Sequence, residues 1–167
     1  MTRTSPSVTS LLCKTRVLAD LVEIRRWSHC VVFTNGCFDV LHAGHVALLE
    51  YAKLVSSPGN ITSVVVGLDS DEGVRALKGD GRPVNKFSDR AYVLTSLRFV
   101  DHVFEFTGNE QLVEMVKTLR PDVMIKGGDY LGKKIVGAEY ARQVKIFPAI
   151  GELSSTKVLE KLRERRL

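Results

Sequence analysis

The run Val31-Val32-Phe33-Thr34-Asn35-Gly36-Cys37-Phe38-Asp39-Val40-Leu41-His42-Ala43-Gly44-His45 constrains this chain more than any other stretch. Its β-branched and aromatic start suits a buried strand. The strand breaks at Asn35-Gly36, a pair that tolerates the backbone angles of a tight turn. Past the turn, His45, Leu48, Leu49, Ala52 and Val55 recur at spacings of three and four and share one helix face. The first N–H groups of such a helix lack intrahelical acceptors, and its dipole favours an anion there. Gly44 removes a side chain that would keep a phosphate off the backbone. His42 and His45 place two imidazoles beside the same spot, where they can bind and polarise phosphate oxygens.

Along the rest of the chain, apolar strands alternate with amphipathic helices. Val17, Leu18, Leu21, Val22 and Ile24 predict a helix within Leu11 to Trp27, and Ser56 to Asn60 reads as a turn. Ile61 to Leu68 reads as a second strand, and Asp69-Ser70-Asp71-Glu72 signals a helix start. Only a short helix is expected from Gly73 to Leu77. A polar loop from Lys78 to Lys86 leads to a helix starting at Ser88-Asp89-Arg90 and ending near Leu97. Val100 to Phe106 is a third strand, Asn109 to Leu119 a helix, Asp122 to Lys126 a fourth strand and Gln143 to Pro148 a fifth. A last helix from Ser154 to about Arg165 is capped by Ser154 or Ser155. This alternation predicts an α/β fold, a doubly wound parallel five-stranded sheet of Rossmann-like type with helices on both faces. Ligands in such folds bind outside the carboxyl ends of the strands, where every polar stretch singled out here lies.

The 167 residues suit one domain over 11–167, with the Ser- and Thr-rich residues 1–10 expected to be disordered. No apolar run approaches the ~20 residues needed to span a bilayer. The polar first ten residues do not resemble a secretory signal, so a cytoplasmic location without membrane attachment is expected. The net charge of +5 is scattered, and Lys161 to Arg166 is broken by Glu164, so a solvated helix end is favoured over a nucleic-acid footprint. Cys13, Cys30 and Cys37 show no C-x-x-C pairing and read as reduced thiols, with Cys37 a small space-filler in the key turn.

Other chemistries fare less well. His42 and His45 could chelate a metal, but no His, Cys or Glu offers an obvious third ligand; Asp39 is the one candidate, and no metal site is assigned. The dinucleotide G-x-G-x-x-G, the P-loop and the G-x-S-x-G elbow are all missing. Lys78, Arg82 and Lys86 decorate a glycine-containing loop suited to an anion or to solvent. Arg90 opens a helix, against the dipole, which hints at an anionic partner or a surface salt bridge. Asp129 follows Gly127-Gly128 at a strand end. Ser154, Ser155 and Thr156 are either plain caps or part of a second anion pocket.

Together, Gly36-Cys37-Phe38-Asp39 and His42-Ala43-Gly44-His45 resemble the nucleotidyltransferase superfamily of cytidylyl- and adenylyltransferases. Leu77-Lys78-Gly79, Gly81-Arg82-Pro83-Val84-Asn85, Asp89-Arg90, Lys126-Gly127-Gly128-Asp129-Tyr130 and Val136-Gly137-Ala138-Glu139 narrow the resemblance to bacterial D-glycero-β-D-manno-heptose 1-phosphate adenylyltransferases. Such domains are often fused to a sugar kinase, and this chain resembles the free-standing version. Three departures stand out: Asp69 where the family commonly has Asn, Ser154-Ser155-Thr156 where Ser-Thr-Thr is usual, and Lys157, which resembles glycerol-3-phosphate cytidylyltransferases.

The resemblance implies transfer of AMP from ATP, with Mg²⁺, to a sugar 1-phosphate, giving ADP-heptose and pyrophosphate, and a homodimer. It implies catalytic roles for His42, His45, Lys78 and Arg90. Nucleotide contacts are implied for Thr34, Asn35, Gly36, Cys37, Phe38, Asp39, His42, Gly44, His45, Lys126, Gly127, Gly128, Asp129, Tyr130, Ser154, Ser155 and Thr156. Acceptor contacts are implied for Asp69, Lys78, Arg82 and Arg90. The alternatives are a cytidylyltransferase making a CDP-alcohol such as CDP-glycerol, and a non-catalytic nucleotide-binding module.

Overall fold

The computed structural model describes residues 18–55, 62–148, 150–151 and 154–164. The polar N-terminal segment, Cys13, the start of the first expected helix and the turn at 56–60 lie outside the described residues. Helix α1 (Leu18–Trp27) leads into β1 (Cys30–Gly36), followed by α2 (Ala43–Leu54), β2 (Thr62–Asp69), α3 (Asp71–Lys78) and α4 (Phe87–Thr95). Then come β3 (His102–Phe106), α5 (Gly108–Leu119), β4 (Val123–Gly127), β5 (Gln143–Phe147) and α6 (Ser155–Glu164), with single 3-10 turns at Gly128–Tyr130 and Ala138–Tyr140.

The five strands form one sheet in the order β3-β2-β1-β4-β5, and every pairing is parallel. Strand side chains alternate between the two faces. Val32, Val64, Val66 and Ile125 therefore pack against α2 and α4 through Leu48, Leu49, Ala52 and Leu94. Val31, Phe33, Val65 and Met124 pack on the other face against α1 and α5 through Leu21, Ile24, Leu112, Met115 and Val116. Burial on both faces explains why β1 and β2 read as continuous apolar runs. Each of these fully buried aliphatic side chains contributes roughly 1.5–3 kcal/mol relative to exposure.

Two carboxylates fasten the sheet at the starts of its strands. Asp101 accepts from Lys53 Nζ at 2.6 Å and from Val64 N at 2.8 Å. Asp122 accepts from Val31 N at 2.8 Å and from the Arg25 guanidinium. The opposite edge, at the strand ends, is left for function. Because β1 sends its chain to β2 on one side and lies beside β4 on the other, the crevice opens between β1 and β4, where doubly wound sheets take ligands.

Two expected elements differ from those observed. Helix α3 runs through Asp71–Lys78 rather than forming a brief turn from Gly73. Ser70 caps it by accepting from Gly73 N at 3.0 Å, and its first turn carries Asp71 and Glu72, both favourable at a helix N-terminus. Strand β3 begins at His102, not Val100, because Leu97 N and Val100 N still bond turn-fashion to Leu94 and Leu97 carbonyls.

Candidate active site

The turn after β1 delivers the histidines as its sequence predicts. His42 is the N-cap of α2, with extended backbone at φ −142° and ψ 170°. Its carbonyl accepts from His45 N at 2.9 Å, so Ala43 and Gly44 form the open first turn. The two imidazoles stack, ring centroids 3.8 Å apart and planes 26° from parallel. The Phe38 ring tilts against His45 at 5.0 Å. Both Nδ1 atoms are buried without a hydrogen-bond partner. Burial lowers the His42 pKa, and burial together with the neighbouring His42 takes His45 down to about 4. Both rings are therefore neutral near pH 7, each offering one N–H and one lone pair.

A cavity of about 540 Å³ opens over these rings, a volume typical of small-molecule sites. Its border includes every expected nucleotide contact: Thr34 through Asp39, His42, Gly44, His45, Lys126 through Tyr130, and Ser154 through Thr156. The expected acceptor residues Asp69, Lys78 and Arg82 border it as well. Two helix N-termini meet there, those of α2 and α6. In α6, Ser154 is the cap, accepting from Lys157 N at 3.1 Å. Ser155 instead donates to the Val40 carbonyl at 2.8 Å, which ties α6 to the histidine turn.

Lys126 is 4 % exposed. Its ammonium donates to the Asn35 carbonyl and to Asn35 Oδ1 at 3.1 and 3.0 Å, and lies 4.1 Å from the Tyr130 ring centre. Burial takes its pKa down to about 8, with Asp129 and Cys37 pulling the other way. The lysine thus ties the end of β1 to the turn after β4 across the crevice. Burial also raises the Asp69 carboxyl, against the opposing Arg90 guanidinium. Asp69 Oδ1 is buried and unpartnered. It fits only because residue 73 is glycine: a Cβ there would lie 2.0 Å from it.

Arg90 requires a correction. It does not border the cavity, and its hydrogen bonds go to the protein instead. Its guanidinium is buried, donating to the carbonyls of Asn85, Cys37 and Asp69 at 3.0, 2.7 and 2.8 Å and to Asp71 Oδ1 at 2.7 Å. That set of oxygens also resolves the apparent conflict with the α4 dipole. Asp39 is likewise engaged: its carboxylate accepts from Arg82 Nε at 2.6 Å, Val84 N at 2.8 Å and Asn85 N at 2.9 Å. Burial alone would raise its pKa, but those backbone N–H groups and the guanidinium outweigh it and hold the carboxyl below its usual range.

A strand–turn–helix carrying paired imidazoles, at the switch point of a parallel sheet, meets known proteins at one place. The Cytidylyltransferase-like family model matches residues 33–161, which take in the histidine turn and the whole cavity border. This chain belongs to the cytidylyltransferase-like family. It is 45% identical over 146 residues to the bifunctional protein HldE of Campylobacter fetus, covering 87% of this chain and 31% of that protein. To the HldE of Helicobacter pylori it is 40% identical over 143 residues, covering 86% and 30%. The chain therefore spans under a third of the length of these relatives. Among solved structures, the lipopolysaccharide core biosynthesis protein of Thermoplasma volcanium shares the fold, at TM-score 0.54 and 23% identity, over 72% of this chain and 96% of that one.

Within this cytidylyltransferase-like cavity, residue-by-residue reading missed an apolar wall. Phe106, Leu112 and Val136 border it on the α5 side, with Asn109 beside them; Leu48, Phe147, Pro148 and Ile150 border it on the other. Most of these read as core positions. The signal that could have found Phe106 and Phe147 is topological, since each ends a parallel strand. Nothing in the local sequence flags Asn109, and Val136 stands out only within the Val136-Gly137-Ala138-Glu139 segment of the family resemblance.

Proposed function

We propose that this nucleotidyltransferase moves AMP from ATP to D-glycero-β-D-manno-heptose 1-phosphate, giving ADP-heptose and pyrophosphate. The observation that supports it most is the stacked His42–His45 pair at the N-terminus of α2, on the floor of a cavity also bordered by cationic residues. The Lys-Gly-Gly-Asp-Tyr segment at 126–130 and the likeness to HldE proteins favour the heptose reading.

In this reading an oxygen of the acceptor phosphate attacks the α-phosphorus in line. The new P–O bond forms as the bond from the α-phosphorus to the bridging oxygen of pyrophosphate breaks, and pyrophosphate departs with that electron pair. Catalysis rests on positioning and charge stabilisation rather than a covalent enzyme intermediate. His42 and His45 donate to oxygens of the α- and β-phosphates, and the open N–H groups of α2 and α6 cradle the triphosphate. Lys78, at the end of α3, meets the phosphates as its loop closes. Asp69 and Arg82 face the acceptor, and Asp129 with the glycines before it meets the ribose or base. Among the described residues no three His, Cys, Asp or Glu converge as a metal cage. Mg²⁺ would therefore be held by phosphate oxygens and water, neutralising charge on the triphosphate. The reading includes a cytoplasmic homodimer; light scattering in solution checks the dimer.

The test is pyrophosphate release with ATP and with CTP, each alone, with heptose 1-phosphate and with glycerol 3-phosphate. Release only with ATP and the heptose phosphate supports the reading. Release with CTP and glycerol 3-phosphate supports the cytidylyltransferase alternative that Lys157 raises. His45→Ala is expected to lower kcat by about 10²–10³-fold, as when one oxyanion donor is lost. Near-normal turnover would remove His45 from the mechanism.

A further inference from the structure

Phe38 carries the backbone's clearest local conflict. Its φ is +44°, in the left-handed region where a bulky residue is a genuine outlier. Such strain costs on the order of 1–3 kcal/mol and persists only where the surroundings over-determine it. Here both neighbours of Phe38 are clamped. The Cys37 carbonyl accepts from Arg90 Nη1 at 2.7 Å, and the Asp39 carbonyl accepts from Asn85 Nδ2 at 2.7 Å. The Asp39 carboxylate is gripped by Arg82, Val84 N and Asn85 N, so the loop before α4 holds the turn from the side opposite β1.

The clamp has a visible product. It places the Phe38 ring, 7 % exposed, between Gly36 and His45. A Cβ on Gly36 would come within 3.3 Å of that ring, so the glycine keeps the space open. His45 then stacks on His42. No hydrogen bond reaches Nδ1 of either imidazole, and the Phe38, His45 and His42 rings pack in series.

We propose that Phe38 is a positioning residue, driven into a left-handed kink by the Arg90–Asp39–Asn85 clamp so that its ring buttresses His45 and sets the orientation of the histidine pair. The proposal rests on the transfer role given to the histidines above. It also couples the loop bearing Arg82 to the histidine turn, since releasing that loop would release the kink.

The experiment compares the wild-type chain with Phe38→Leu, Phe38→Tyr and Arg90→Lys, reading kcat, KM for ATP and the NMR titration of the imidazoles. Phe38→Leu is expected to lower kcat about tenfold with KM for ATP changed less than threefold, and to move His45 from about 4 toward 6.5. Phe38→Tyr, which keeps the ring, should restore both. Arg90→Lys should move His45 in the same direction, and it carries the test if Phe38→Leu does not fold. A folded Phe38→Leu with kcat within twofold and His45 unmoved overturns the proposal, as does an Arg90→Lys that alters KM alone. If the wild-type chain turns over no nucleotide, the proposed reaction fails, while the imidazole titrations still decide the role of Phe38.

Discussion

His45 shows how a single burial sets both chemistry and stability. Its folded pKa of about 4 lies below the 6.5 of an unfolded histidine. Between those values the unfolded chain binds a proton that the native chain does not, so acidification through that window favours unfolding. Urea titrations at pH 7 and pH 5 should show the wild-type chain losing more stability on acidification than His45→Asn; equal losses would mean the ring is not held neutral. Gly73 shows the opposite economy of space. An alanine in a helix is ordinarily better than a glycine, yet here its Cβ would meet Asp69 Oδ1 at 2.0 Å. Gly73→Ala is therefore expected to destabilise the protein by about 1–3 kcal/mol, the usual range for overpacking, measured as a lower urea midpoint with an unchanged slope. Pairing it with Asp69→Ala should recover most of that loss.

Among the elements, α6 is fastened at its first turn. Its cap is one hydroxyl, Ser154 Oγ, and its link to the β1 turn is one more, Ser155 to the Val40 carbonyl. Ser154→Ala should cost about 1 kcal/mol of local helix stability and raise KM for the nucleotide more than it lowers kcat; an unchanged KM would separate α6 from the triphosphate. The strands and the helix after His42 are legible because apolar runs and helix spacing are local signals, but the strand does not break at Asn35-Gly36: both residues stay paired in β1, and the left-handed turn residue is Phe38. The true work of Arg90 was not legible. Its four acceptors come from Cys37, Asp69, Asp71 and Asn85, which only the folded sheet brings together. Helix α3 is longer than the short helix expected from Gly73 to Leu77, because the start signal at Asp69 to Glu72 includes its cap, Ser70, and its first two helical residues.

At the scale of the molecule, an all-parallel sheet in the order β3-β2-β1-β4-β5 gathers five strand ends on one edge, so distant segments become one cavity border. The opposite edge is secured by Asp101 and Asp122, which leaves the functional edge free to be polar and partly strained. Asp39 links that edge to the loop before α4, and the link has a dynamic signature. Val84 and Asn85 lie outside any helix or strand, yet their amides donate to a carboxylate that is 2 % exposed. Amide exchange follows opening, not element type. In deuterium exchange these two amides should outlast that of Gly81 in the same loop by at least tenfold, and exchange equal to that glycine would show the loop unfastened. With Asp39→Asn, they should speed up together with Phe38. The deuterium clock of two loop residues would then report how often the histidine turn comes loose.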